Sequence, residues 1–193
     1  MDSRFIPPAR PLTQGFFARP VLAVARDLVG QVLAVRRSTG PALARLVEVE
    51  AYGGLDDPAS HAGRGPTPRS RIMFGPPGYA YVYLVYGMHH CLNFVTGAEG
   101  EAGAVLVRAA EPLAGLPREP RLLAGPGRLC RALGIDLAWN GRAVAADLPG
   151  PADLRLWPGP PSARIAASPR IGIRRATGRP WRFTDPDSPS LSR

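Results

Sequence analysis

Lysine is missing from this chain of 193 residues, and all 24 basic positions are arginine. Without a side-chain amine no Schiff base to a sugar aldehyde can form, which excludes lysine-based lyase chemistry. Cysteine is nearly absent too. Cys91 and Cys130 lie far apart and form no CxxC, so no disulfide framework, iron–sulfur cluster or structural zinc site is suggested. Nowhere do about 18 apolar residues run together as a membrane-spanning helix needs. The opening MDSRFIPPARPL carries no apolar stretch of the signal-peptide kind. A soluble, cytoplasmic protein with no membrane partner is the expectation. Acidic residues are the scarcer charge, 15 against 24, giving a formal charge of +9. A basic surface favours a polyanion such as nucleic acid. GC-rich coding accounts for arginine in place of lysine, but not for the positive excess.

What is present fits one domain spanning 1–193, long enough to bury an ordinary core. The 22 glycines and 23 prolines point to turns and short elements rather than long helices. After an irregular lead-in over residues 1–19, PVLAVARDLVG reads as a helix entered at Pro20 and stopped at Gly30, with Val21, Val24, Ala25 and Leu28 as its buried stripe. QVLAVRR and LARLVEVEAY read as a hairpin across STGPA, followed by a Gly/Pro-rich loop from Gly53 to Arg71. GYAYVYLVYGMHHCLNFV reads as a second hairpin breaking at Tyr86-Gly87, and AGAVLVRAAEPL as another strand. RLLAGPGRLCRALGI suggests a short helix ended by Gly134. Residues 135–163 carry no clear pattern, and RIAASPRIGIRRATGRPWRFT suggests two last short strands with their turn. The fold class expected is α+β.

Strand alternation places Glu48, Glu50 and Tyr52 on one face of LVEVEAY and Val47, Val49 and Ala51 on the other. The ordinary explanation of strand glutamates is a solvated face paired with arginine. A tyrosine on the same face, and His61 in the loop behind it, favour a functional one for Glu50. Tyr79, Tyr81 and Tyr83 share a face, as a packed aromatic ladder would. Tyr86 falls out of phase at the hairpin tip, where it either folds back on its own hairpin or serves as a wedge between stacked bases. His89-His90-Cys91 points to alternate faces and chelates poorly, so it reads as structural. Arg108, inside the apolar AVLVRAAEPL, needs a carboxylate partner, for which Glu50 is a candidate. The GPG before RLCRALGI is a weak phosphate-binding signal and more often a turn.

Together VEVEAYGGLDDPASHAGRGPTPRSRIMFGPPGYAYVYLVYGMHHCLN, VLVRAAEP, GPGRLC and PRIGI resemble the alkyladenine (3-methyladenine) DNA glycosylase family of base-excision repair. The resemblance runs from the first helix to the tail, with residues 135–163 outside its recognisable words. It implies a single compact domain with a curved antiparallel β-sheet, surrounding short helices and a protruding β-hairpin. It implies a monomer that flips alkylated or deaminated purines out of double-stranded DNA and hydrolyses the N-glycosidic bond without metal or cofactor. Such a protein is nucleoid-associated while it works. Position by position, Glu50 matches the water-activating residue and Arg108 the arginine beside it. Tyr52, His61 and Tyr83 match the groups enclosing the flipped base, Asn93 the pocket floor, and Tyr86 the ring that fills the gap in the stack.

The physical chemistry agrees with what the resemblance implies. Alkylation at a ring nitrogen makes a purine cationic, so it leaves readily and is held by aromatic faces. Stacking returns about 1–3 kcal/mol per base, comparable with the few kcal/mol that flipping costs. A carboxylate can stabilise oxocarbenium character while it takes a proton from water. A cationic leaving group needs no second carboxylate as general acid, and without lysine the expected product is an abasic site in an uncut strand. Two rivals share some features. A non-catalytic damaged-DNA-binding protein of the same fold has no use for a buried carboxylate facing DNA. A hydrolase of small nucleosides leaves Tyr86 and the basic surface idle.

Overall fold

The computed structural model describes residues 10–160 and 162–192. The start of the lead-in therefore lies outside the described residues. The rest of it is not wholly irregular, since Gln14–Phe17 make a one-turn helix, α1, that buries Phe17. Val21–Leu28 form α2 behind Pro20, burying Val24, Ala25 and Leu28 as the i, i+1, i+4 spacing demands. Its chain leaves through Gly30, whose φ of 96° suits glycine.

Strand β1 (Val32–Arg37) turns directly into β2 (Gly40–Tyr52), with Arg37 facing Gly40 across a tight hairpin. Strands β3 (Ala80–Val85) and β4 (His89–Val95) form the second hairpin, and β5 (Ala104–Ala114) follows. Helix α3 (Pro126–Leu133) begins at Gly125-Pro126 and ends on Gly134 in the left-handed region, the glycine stop expected there. Strands β6 (Leu154–Trp157), β7 (Ala166–Ser168) and β8 (Arg182–Thr184) complete the chain. All pairings are antiparallel, in the order β3-β4-β5-β2-β1-β6, with β8 joined to β2 and β7. The sheet curls into a half-barrel, with few helices around it.

Two differences from the sequence reading concern the second half. Within the patternless 135–163 the chain makes an edge strand, β6, hydrogen-bonded to β1. Four residues among prolines are too short to show a period of two. The last two strands are joined by a long loop over residues 169–181 rather than a turn.

Strand β2 positions the site. It is paired with β5 along most of its length, while its other edge changes partner, from β1 up to Arg45 to β8 at Glu48–Glu50. Register shifts around Glu48 mark the changeover as a bulge. Glu48 and Glu50 thus sit where β2 is flanked on both edges, and no side of their strand is left to solvent. The main core packs α2 and α3 on the sheet, around Leu33, Leu46, Phe94 and Leu129. A smaller apolar cluster of Ala62, Met73, Tyr81, Val95 and Ala104 lies beneath Tyr52, Tyr79 and Tyr83.

Candidate active site

Tyr52, His61, Tyr83 and Asn93, separated in sequence, line one cavity of about 180 Å³. Tyr52 ends β2, Tyr83 and Asn93 come from the facing strands β3 and β4, and His61 comes from the loop after β2. Met73, Tyr81, Gly172 and Ile173 complete most of the wall. Asn93 is buried opposite Tyr81, and its side-chain amide donates to the Tyr81 carbonyl at 2.9 Å, which fixes its orientation. The His61 ring packs edge-on to Tyr83, with centroids 4.7 Å apart and planes at 71°. Its Nδ1 lies 2.9 Å from the Tyr81 hydroxyl. His61 as a whole residue is exposed, yet its ring is hemmed in by Tyr81 and Tyr83. Burial, then the nearby Arg69 charge, lower its pKa from 6.5 to about 4, so it is neutral at physiological pH. Burial pushes the Tyr83 phenol up; the neighbouring Cys91 adds to the shift.

Glu50 is wholly buried and lies behind Tyr52 rather than in the cavity wall. Its Oε2 accepts from the Tyr52 hydroxyl at 2.8 Å and its Oε1 from the Ile171 N–H at 2.7 Å. Burial, and then the Glu50 charge, push the Tyr52 phenol up, so it stays a donor. A carboxylate oxygen has room for about two donors. Oε2, with one protein donor, therefore retains an acceptor position for a water.

Arg108 reaches Glu50 as the sequence reading anticipated, at 3.3 Å from Nη1 to Oε1. Its hydrogen bond, however, goes from Nε to Glu48 Oε1 at 2.9 Å. Glu48 also accepts from Arg182 Nε at 2.7 Å and from the Ser192 N–H and hydroxyl. The solvated strand face does not hold for Glu48, which is fully buried although it is paired with arginine. Burial works to raise its pKa, but the hydrogen bonds from Arg182 and Ser192 hold the carboxyl below its usual range. Arg108 is thus a cation bridging two buried carboxylates.

Tyr86 does not fold back on its hairpin; it stands at the tip 84% exposed, next to Met88 at 70%. Tyr86 and Gly87 both have positive φ, 52° and 68°, the pattern of turns that normally take Asn, Asp or Gly first. A tyrosine held there is strained backbone. Arg121 and Arg128 are exposed around the entry to α3 and Arg131 in its last turn, and Arg128 and Arg131 share with Tyr86 and His89 a shallow groove between hairpin and helix. The His89-His90-Cys91 run makes no ligand set, and among the described residues no group of three or more His, Cys, Asp or Glu could hold a metal ion.

The sequence reading missed the contribution of residues 169–173. Arg170 pairs with Asp57, Ile171 donates to Glu50, and Gly172 and Ile173 line the cavity. The word PRIGI was the available signal, but a strand-and-turn reading of the tail gave it no place beside β2.

A curled antiparallel sheet thus presents an aromatic cavity with a buried carboxylate behind it, and a hairpin tip carrying a strained, exposed tyrosine. The sequence model of the methylpurine-DNA glycosylase family matches residues 15–189, and the chain belongs to that family. It is 51% identical to a protein of Frankia casuarinae over 87% of this chain and 85% of the other. A Myxococcus xanthus protein is 48% identical over 94% and 93%, and one from Methanocella arvoryzae 44% identical over 94% and 96%. All three bear the name "Putative 3-methyladenine DNA glycosylase".

Proposed function

We propose that the protein is a monofunctional DNA glycosylase. It takes alkylated or deaminated purines, such as 3-methyladenine, 7-methylguanine and hypoxanthine, out of the duplex and hydrolyses their N-glycosidic bond, leaving an abasic site. The observation that carries this reading is the buried Glu50 carboxylate, held by the Tyr52 hydroxyl and the Ile171 N–H, directly behind Tyr52, which lines the cavity together with His61 and Tyr83. A cavity of about 180 Å³ is below the roughly 300–1,000 Å³ that drug-sized ligands occupy. It suits a base with its sugar outside, in line with a polymer substrate rather than a free nucleoside.

In the reaction a water on the open position of Glu50 Oε2 attacks C1′. The new C–O bond forms as the C–N bond breaks, the proton passes to Glu50, and the electron pair of the broken bond goes to the purine. An alkylated purine departs neutral because it began as a cation, whereas hypoxanthine, neutral at the start, departs as an anion that takes up a proton from solvent water. The positive charge of Arg108 lies beside both glutamates and offsets the repulsion between them. Tyr52 and Tyr83 offer aromatic faces to the cationic base, and Asn93 supplies a fixed polar edge at the floor. Tyr86 fills the place the base vacates. The protein acts as a monomer on double-stranded DNA.

Duplex oligonucleotides carrying hypoxanthine, and separately alkylated DNA, are incubated with the protein and with Glu50→Gln, and abasic sites are scored by alkaline cleavage. Wild type should release base and Glu50→Gln should be slower by at least the 10²-fold typical of a lost general base. No release of either base by wild type defeats the enzyme reading. Undiminished release by Glu50→Gln defeats only the role of Glu50.

A further inference from the structure

The most completely buried ion pair of the described residues is that of Arg170 and Asp57, to which the mechanism assigns no part. Arg170 and Asp57 have fully covered side chains and are joined by two bonds, Nη1 to Oδ2 at 2.6 Å and Nη2 to Oδ1 at 2.7 Å. Such a pair contributes little net stability over apolar residues of the same volume, since desolvation offsets the attraction. The Arg170 Nε is buried with no partner, which adds to the cost. A costly pair retained in this place calls for a role other than stability.

Its connections converge on Glu50. Arg170 Nη1 also donates to the Ala51 carbonyl at 2.9 Å, within β2 and between Glu50 and Tyr52. The guanidinium stacks on the Tyr52 ring at 4.6 Å and the Trp181 ring at 5.0 Å. Asp57 accepts from the Gly53 and Ala59 N–H groups, which ties down the loop that carries Ala59 and His61 into the cavity wall. The residue after Arg170 is Ile171, whose N–H bonds Glu50 Oε1. One ion pair thus joins both wall loops, the end of β2 and the ring that donates to Glu50 Oε2.

We propose that Asp57 and Arg170 are positioning residues: the pair fastens the loop at residues 169–173 to the end of β2, so that Ile171 and Tyr52 hold the Glu50 carboxylate in its reacting orientation. The proposal rests on the reading of Glu50 as the base. It predicts an effect on the chemical step rather than on substrate affinity, because neither residue lines the cavity. Arg170→Lys keeps the charge but loses the second bond and the planar stack. Asp57→Asn keeps the shape and loses the charge.

The test is single-turnover base release from a duplex bearing one 7-methylguanine, with each protein in excess. Rate constant and amplitude are read separately, alongside duplex affinity. A displacement of about 1 Å at a reacting group can cost on the order of 10²-fold. Each variant should therefore slow the rate constant by about 10- to 100-fold, with amplitude and affinity near wild type, and the double variant should be no slower than the worse single. An unchanged rate constant overturns the proposal, as does a lowered amplitude with an unchanged rate constant, which marks a merely structural role. If Arg170→Lys fails to fold, Asp57→Asn carries the same test. Wild-type release that is sensitive to Glu50→Gln but not to either variant defeats this proposal alone. Release insensitive to Glu50→Gln defeats the reading on which it rests.

Discussion

Replacing Arg108 by methionine removes a cation from between two buried carboxylates while keeping a side chain of similar length. Glu48 keeps Arg182 and both Ser192 donors, whereas Glu50 keeps only the neutral Tyr52 and Ile171 donors. Breaking a buried pair costs about 3–5 kcal/mol, and the surviving partners of Glu48 place this case at about 3 kcal/mol. For a chain of this length 1 kcal/mol moves Tm by about 2–4 °C, so a loss of about 6–12 °C at pH 7 is expected. The pH dependence has a definite sign. Glu48 has a folded pKa below its ordinary 4.5, so its contribution is complete above about pH 4.5 and is lost as pH falls through the folded value. Without the Arg108 cation the folded value of Glu48 rises, and in acid a proton on Glu48 relieves the repulsion. The gap between wild type and variant must therefore shrink from pH 7 towards pH 4. Calorimetric melts at several pH values measure this directly. A loss under 2 °C at pH 7, or one equally large at pH 4, would refute the view that Arg108 is the cation holding this pair.

Tyr86→Ala should weaken productive binding to a well-paired lesion by the value of one stacked ring, about 1–3 kcal/mol, while leaving the fold intact because the ring is 84% exposed; duplex affinity and Tm measured together check it, and unchanged excision from a well-paired site counts against the wedge. The His61 ring protons should hold their neutral chemical shifts from pH 8 to about pH 5 and move only near pH 4; a midpoint near 6.5 in an NMR titration contradicts the crowded site described. Because its folded pKa is depressed, stability that depends on neutral His61 is present above about pH 6.5 and is lost as pH falls towards 4. Gly63→Ala would drive a methyl into the Asp57 carbonyl oxygen. The loop must then shift, at a cost of about 1–3 kcal/mol, visible in thermal melts, and a Tm equal to wild type would show that the loop yields freely.

The elements legible in the sequence were those whose signal is local. Pro20 and Gly30 bracket α2, Gly125-Pro126 and Gly134 bracket α3, and the alternation in LVEVEAY and GYAYVYLVY marks β2 and β3. The family resemblance rested on these words, and the family match bears it out. Strand β6 was not legible, because LRLW becomes a strand only by adding to the free edge of β1. Nor was the partnership of Arg108. Alternation put Glu48 and Glu50 on one face, but only the β2–β5 register with its bulge decides that the guanidinium hydrogen-bonds Glu48 and touches Glu50.

The sequence by itself determined the kind of chemistry available: no amine for a Schiff base, an excess of positive charge, carboxylates and a tyrosine alternating on one strand face, and a tyrosine at a glycine turn. These are properties of residue type and of a period of two, which act over a few residues. The tertiary structure alone decided that Glu50 is sealed behind Tyr52, that the His61 pKa is lowered, and that a loop more than a hundred residues further on supplies a donor to Glu50. Burial and ion pairing depend on which distant segments meet, and that is set by the packing of the whole sheet rather than by any stretch of the chain.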